Sequence, residues 1–201
     1  MAPRRLLAPV GGALITVALA GCGGSSTTSS SATIGPSDAA STLAAPASAA
    51  PARGSRIKGT GYSFRVPKGW RDIGSTVSAR GADTAAAAAA PVAGFTTNVN
   101  VVIVNQSFTR AQVGEVTRRA RAEVGADSAS YLVAAPTTVA GSVAGHLRGP
   151  HTYGKAKYWL EQYLISHDDH TYVASFSFSP KVAAGTRDQQ IAAVLASWSW
   201  A

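Results

Sequence analysis

Two alternating segments, Tyr158–Ser166 and Thr171–Ser179, are separated only by His167-Asp-Asp-His170. Both are rich in aromatic and β-branched residues, and together they read as a β-hairpin turning at Asp168-Asp169. With His167 facing His170, Trp159 falls opposite Phe178 and Ile165 opposite Tyr172. Tyr163 and Phe176 share that face, as does one carboxylate, Glu161, opposite Phe176. Five aromatics left in water would exceed the few hundred Å² of apolar patch usual on a monomer. The face therefore requires a cover, and we expect a helix.

Two helices are available. Thr109-Arg-Ala-Gln112 and Thr186-Arg-Asp-Gln189 both read as capping boxes. Val113, Val116, Ala120 and Val124 form the apolar stripe of the first helix, which Gly125 ends. Ile191, Val194, Leu195 and Trp198 form the stripe of the second. Tyr62–Val66 and Thr96–Val104 alternate as strands, and Trp70 opens a short segment after the turn at Lys68-Gly69. Tyr131–Val139 and Ser142–Arg148 read as a hairpin turning at Ala140-Gly141. Residues 74–93, with six consecutive alanines from Ala85 to Ala90, are expected to be a mobile loop. The order of strands and helices is that of an α+β fold: a largely antiparallel sheet with helices packed on it.

The other end of the chain carries an address. Arg4-Arg5 precedes an apolar stretch from Leu6 to Leu19, which is too short for a comfortable membrane span of roughly 20 residues. It ends Leu19-Ala20-Gly21-Cys22. This has the form of a bacterial lipobox, in which the cysteine sulfur becomes a thioether to diacylglycerol. Residues 1–21 are read as a lipoprotein signal peptide and Cys22 as the lipidation site. Cys22 is the only cysteine, which rules out an intrachain disulfide and any multi-thiolate metal site.

Residues 22–57 are then the lipidated Cys and a flexible tether rich in Ser, Ala and Pro. All fifteen aromatic residues lie from Tyr62 onward, so the preceding stretch cannot offset its ordering entropy. The globular domain is expected over residues 58–201. Removing Arg4 and Arg5 lowers the formal charge from +8 to +6. That mild basicity suits an anionic envelope surface and needs no nucleic-acid partner.

Several pieces recur together. They are Phe64-x-Val-Pro67-x-Gly69-Trp70, Asn98-Val-Asn-Val-Val102, Val139-Ala-Gly141, the late aromatic strand pair and Ser197-Trp198-Ser-Trp200. In this order the chain resembles the LpqN-type lipoproteins of mycobacteria and their relatives, within the PsbP-like fold. The resemblance covers about residues 60 to 200. It implies an α/β/α sandwich with a largely antiparallel central sheet, no reaction, and a role as a binding or assembly module.

Chemistry-bearing residues are few. His167 and His170 with the intervening aspartates could hold Zn²⁺ or Cu²⁺, but a two-residue tip supplies no third fixed ligand. Glu161 either lines a ligand pocket or sits near a sheet edge beside a cation, and the latter is the plainer reading. Arg110, Arg118 and Arg121 share a helix flank and read as a solvated face. Asn98 and Asn100 read as sheet-end hydrogen-bonding groups. Gly141-Ser-Val-Ala-Gly145 has its serine one place early for a nucleophile elbow. No catalytic, metal or cofactor-binding residues are assigned. The expectation is a non-enzymatic protein on the outer leaflet of the cell membrane, extracytoplasmic, binding a protein partner or an apolar ligand. The alternatives are a cell-wall or lipid hydrolase and a metal-handling lipoprotein.

Overall fold

The structure, a computed structural model, describes residues 49–78, 81–124 and 128–201. Strands β1 (Arg56–Gly59), β2 (Tyr62–Arg65) and β3 (Trp70–Asp72) come first, followed by the short helix α1 (Gly74–Val77). Next are β4 (Thr84–Ala88), β5 (Asn98–Val104) and helix α2 (Val113–Glu123). Four long strands follow: β6 (Leu132–Val139), β7 (Ser142–Tyr153), β8 (Ala156–His167) and β9 (His170–Phe178). Helix α3 (Ala184–Leu195) and strand β10 (Ser199–Trp200) complete the chain.

Seven strands form an antiparallel sheet in the order β3-β4-β5-β9-β8-β7-β6, and β1-β2-β10 form a small second sheet. The β8–β9 hairpin has the register read from the sequence: Trp159 pairs with Phe178, Glu161 with Phe176 and His167 with His170. Asp168 sits at φ 48°, a left-handed conformation that a short polar side chain tolerates. The β6–β7 turn places both Ala140 and Gly141 at positive φ, as a two-residue hairpin requires.

The front of the large sheet carries Val99, Val101, Tyr163, Ile165, Phe176 and Phe178 into the main core. Its cover is not a helix alone. Ile57, Tyr62 and Phe64 of the small sheet join Ile191 and Val194 of α3 and the following Trp198 against it. Tyr62 and Phe64 each lie parallel to Trp198, with ring centroids 4.8 and 5.2 Å away. On the back, α2 packs Val113, Val116 and Ala120 on Leu164. Gly145 permits that approach, since a Cβ there would strike the Thr117 hydroxyl. The result is α+β with a central antiparallel sheet between two covering layers, one of which mixes a helix with a second sheet.

Several local expectations are corrected. The alanine run is not a loop: Thr84–Ala88 is an inner strand of the large sheet, paired with β3 and β5. Ala86 faces the main core, while Ala85 packs on Val77 and Ala82 beside α1. Two-sided burial overrides alanine's low strand propensity here. The domain begins before Lys58. Strand β1 starts at Arg56, Ala52 is buried, and the Ala52 amide donates to the Ala193 carbonyl at 2.8 Å. Helix α3 begins two residues before Thr186, so the second capping box does not form. In the first box the Gln112 side chain accepts from the Thr109 amide at 2.9 Å, but the Thr109 hydroxyl turns to that same oxygen. Residues 1–48 and Gly125, on which the signal peptide, most of the tether and a helix stop were placed, lie outside the described residues.

Candidate functional site

Beyond α3, no described residue covers the front of the sheet where β6, β7 and β8 run to the edge. The register of β6 shifts between Ala134 and Thr137, around Pro136, which has no amide hydrogen to give the ladder. A bulge of this kind bends an edge strand. The bent strand and α3 form opposite walls of a cavity of about 620 Å³. Ala134, Ala135, Ala192, Leu195 and Ala196 give it apolar sides, and Trp198 closes one end. Its volume falls within the roughly 300–1,000 Å³ typical of small-molecule sites.

Four functional side chains on the floor come from two strands. In the β7–β8 ladder His146 pairs with Tyr163 and Arg148 with Glu161, so all four project from the front face. Glu161 is 2% exposed. Its Oε1 accepts from Trp159 Nε1 at 3.0 Å and its Oε2 from His146 Nε2 at 3.1 Å. The imidazole lies flat against Tyr163, with ring centroids 4.3 Å apart. Burial pushes the Tyr163 phenol well above its usual range; Glu161 and Asp188 add to the rise and Arg148 opposes it. The Tyr163 hydroxyl is therefore a permanent donor at ordinary pH.

Arg148 lines the cavity and is half-buried, yet it makes no hydrogen bond or ion pair among the described residues. Asp188, on the exposed side of α3, stands at the cavity wall. Beside the site, the Arg187 guanidinium lies 4.5 Å over the Trp159 ring and donates to the Val182 carbonyl at 2.7 Å.

Glu161 is thus a cavity residue, paired with a histidine rather than with Arg or Lys, and the plainer reading of it gives way. The other sequence candidates lie apart from the cavity. His167 and His170 stand at the hairpin tip, where His167 Nδ1 is 2.9 Å from the Ser142 hydroxyl and its ring stacks on Trp200 at 3.8 Å. Among the described residues there is no group of three or more His, Cys, Asp or Glu arranged to hold a metal. Arg118 pairs with Glu115 in solvent on α2. Asn98 is buried and donates to the Thr96 carbonyl at 3.0 Å. Cys22 lies outside the described residues.

His146 and Arg148 were not singled out from the sequence. A signal for both exists: Gly154-Lys155 is a turn, and continuing the second hairpin strand to Tyr153 would place Arg148 opposite Glu161 and His146 opposite Tyr163. The hairpin strand read from the sequence stops at Arg148, just before Gly149-Pro150. Pro150 is tolerated because β6 pairs with β7 only as far as Arg148, leaving that side of the strand without a ladder to break.

A central antiparallel sheet, a mixed front layer and a helix behind define a PsbP-like fold. The solution structure of the cyanobacterial PsbP of Synechocystis matches 73% of this chain and 92% of its own, with a TM-score of 0.51 at 15% identity. The crystal structure of Mycobacterium tuberculosis LpqN, a protein involved in cell envelope biogenesis, matches 72% of this chain and 88% of its own. Its TM-score is 0.51 at 12% identity. A protein of Bacteroides thetaiotaomicron matches 74% of this chain at 10% identity with a TM-score of 0.43, and the chain spans 48% of its length. No protein-family model and no curated protein matches the sequence. No helix among the described residues is long and apolar enough to cross a membrane.

Proposed function

We propose that this chain is a lipid-anchored envelope lipoprotein of the LpqN type, whose PsbP-like domain is a non-enzymatic module that binds an apolar ligand bearing a polar group. The observation that carries the reading is the cavity: apolar walls from α3 and β6 over a floor holding Glu161, His146, Tyr163 and Arg148. Burying a carboxylate is costly without partners. Glu161 has two, Trp159 and His146, and the bond to it fixes the imidazole that stacks on Tyr163, as a preorganised site needs. The anchor rests on the segment Leu19-Ala20-Gly21-Cys22, and the envelope setting also draws on the likeness to LpqN.

Two experiments test this. The chain is expressed in an actinobacterial host and examined by native mass spectrometry for a co-purifying small molecule. Leu195→Trp, which fills the cavity from α3, should remove that adduct while leaving the circular dichroism spectrum intact. An adduct that survives the substitution places binding elsewhere, and ester hydrolysis by the purified chain would contradict a non-enzymatic role. For the anchor, metabolic labelling with a tagged fatty acid should mark the wild type and not Cys22→Ala. Equal labelling of the two would sink the lipoprotein reading.

A further inference from the structure

The cavity contains three charged side chains besides His146, and they are not equivalent. Both oxygens of Glu161 are taken, one by His146 and one by Trp159. Asp188 is exposed on α3 at the cavity wall. Arg148 is different: half-buried, on the cavity floor, with none of its five donors used by a described residue. A guanidinium is always charged and presents a planar fork that fits a carboxylate or phosphate with two parallel hydrogen bonds. The Tyr163 hydroxyl stands on the same floor and donates. Along the walls the lining turns apolar, through Ala135, Ala192 and Leu195 to Trp198. The Trp198 indole N–H is buried with no partner among the described residues.

The unused guanidinium and the apolar walls together point to one kind of occupant. We infer that the cavity takes a single-chain amphiphile with an anionic head group, the head on Arg148 and the Tyr163 hydroxyl, and the hydrocarbon chain between α3 and β6. This assignment rests on the binding reading above and specifies its ligand. A cationic head would leave Arg148 unpaired and repelled. A neutral head offers the fork of Arg148 an acceptor but neither the opposite charge nor two parallel oxygens. Ala49, where the described chain begins, itself lines the cavity.

The test uses the full chain carrying Cys22→Ser, so that no acyl group of its own competes. Dodecanoate, dodecan-1-ol and dodecyltrimethylammonium, each below its micelle concentration, are titrated calorimetrically. Dodecanoate should bind at least tenfold tighter than the alcohol, and the ammonium compound should bind weakest. Arg148→Gln should erase the preference for dodecanoate while changing the affinity for the alcohol by less than twofold. Arg148→Lys, which keeps the charge but not the fork, should retain part of it. Leu195→Trp should weaken all three. Equal binding of dodecanoate and dodecanol in the wild type would overturn the head-group assignment and leave the cavity reading standing, as would tightest binding of the ammonium compound. Loss of alcohol binding in Arg148→Gln, with the fold intact by circular dichroism, would also overturn it. Failure of all three probes to bind the folded chain would overturn the cavity reading itself.

Discussion

Replacing His146 with Leu would leave Glu161 buried with one oxygen unpaired. The side chains of the pair are 13% and 2% exposed, and their contact is 3.1 Å. Removing one partner of a buried pair costs about 3–5 kcal/mol, because a charge remains without compensation. Trp159 Nε1 still donates to the other oxygen, and the cavity admits water, so the lower end, about 3 kcal/mol, applies to His146→Leu. Glu161→Leu leaves two donors unmet, but His146 can reach cavity water as a neutral ring, and about 1–2 kcal/mol is expected. The double substitution removes both polar groups and should cost only about 0–1 kcal/mol, since an apolar pair of similar volume replaces a buried ionic one without loss. The cycle therefore predicts strong non-additivity, with a coupling of about 3–5 kcal/mol, at or above the upper end for neighbouring residues. Urea unfolding followed by tryptophan fluorescence reads this directly. With a slope near 2 kcal/mol/M, His146→Leu should lower the midpoint by about 1.5 M and the double variant by less than 0.5 M. If the double variant loses the sum of the two single losses, Glu161 and His146 are not energetically paired.

Phe176 is 1% exposed at the centre of the front core, so Phe176→Ala should cost about 3–5 kcal/mol in the same assay; an unchanged midpoint would show that the aromatic face is not core. Burial holds the Tyr62 phenol far above its ordinary value of 10.0, with Asp83 adding to the rise and the Thr84 hydrogen bond opposing it. Its neutral form is thus favoured in the folded state. That contribution is complete below about pH 10 and is lost as the pH climbs above it, so Tyr62→Phe should move alkaline unfolding to higher pH. A wild-type alkaline midpoint identical to that of the variant would contradict this. A chain beginning at Arg56 loses the Ala52 amide bond to Ala193 and the Gly54 amide bond to Val66, together about 1–3 kcal/mol. It should melt at least about 4 °C below a chain beginning at Ala49, and equal melting would show that residues 49–55 do not support the domain.

The legible part of this fold was where side-chain alternation and turn chemistry agree. Asp168-Asp169 between two aromatic segments set the β8–β9 register, and every front-face pair follows from it. Ala140-Gly141 did the same for β6 and β7 as far as Thr137, where the register shifts. Alanine carries no such signal. Ala85, Ala86 and Ala87 become strand because Asn98, Val99 and Asn100 pair with them, a tertiary fact about residues a dozen positions away. The small sheet was hidden for a related reason. Ser199-Trp200 is too short to announce a strand, and its partner Tyr62-Ser63 lies at the other end of the domain. Half the site was readable. Glu161 stood out as a carboxylate among aromatics, whereas His146 is an ordinary histidine until the turn at Gly154 brings β7 beside it.

That pairing of first with last has a consequence for how the molecule is made. Ser63 bonds Ser199 across 136 positions of chain, and Trp200 reaches back to donate to the Ala140 carbonyl while stacking on His167. Any process that delivers the polypeptide from its N-terminus, synthesis or passage through a membrane pore, presents β2 long before β10 exists to meet it. The front layer stays unlatched, with Tyr62 and Phe64 lacking the Trp198 ring that stacks on both, until α3 and β10 emerge. Contacts so distant in sequence form slowly. The front layer remains open until β10 is made and locks only when that strand pairs with β2.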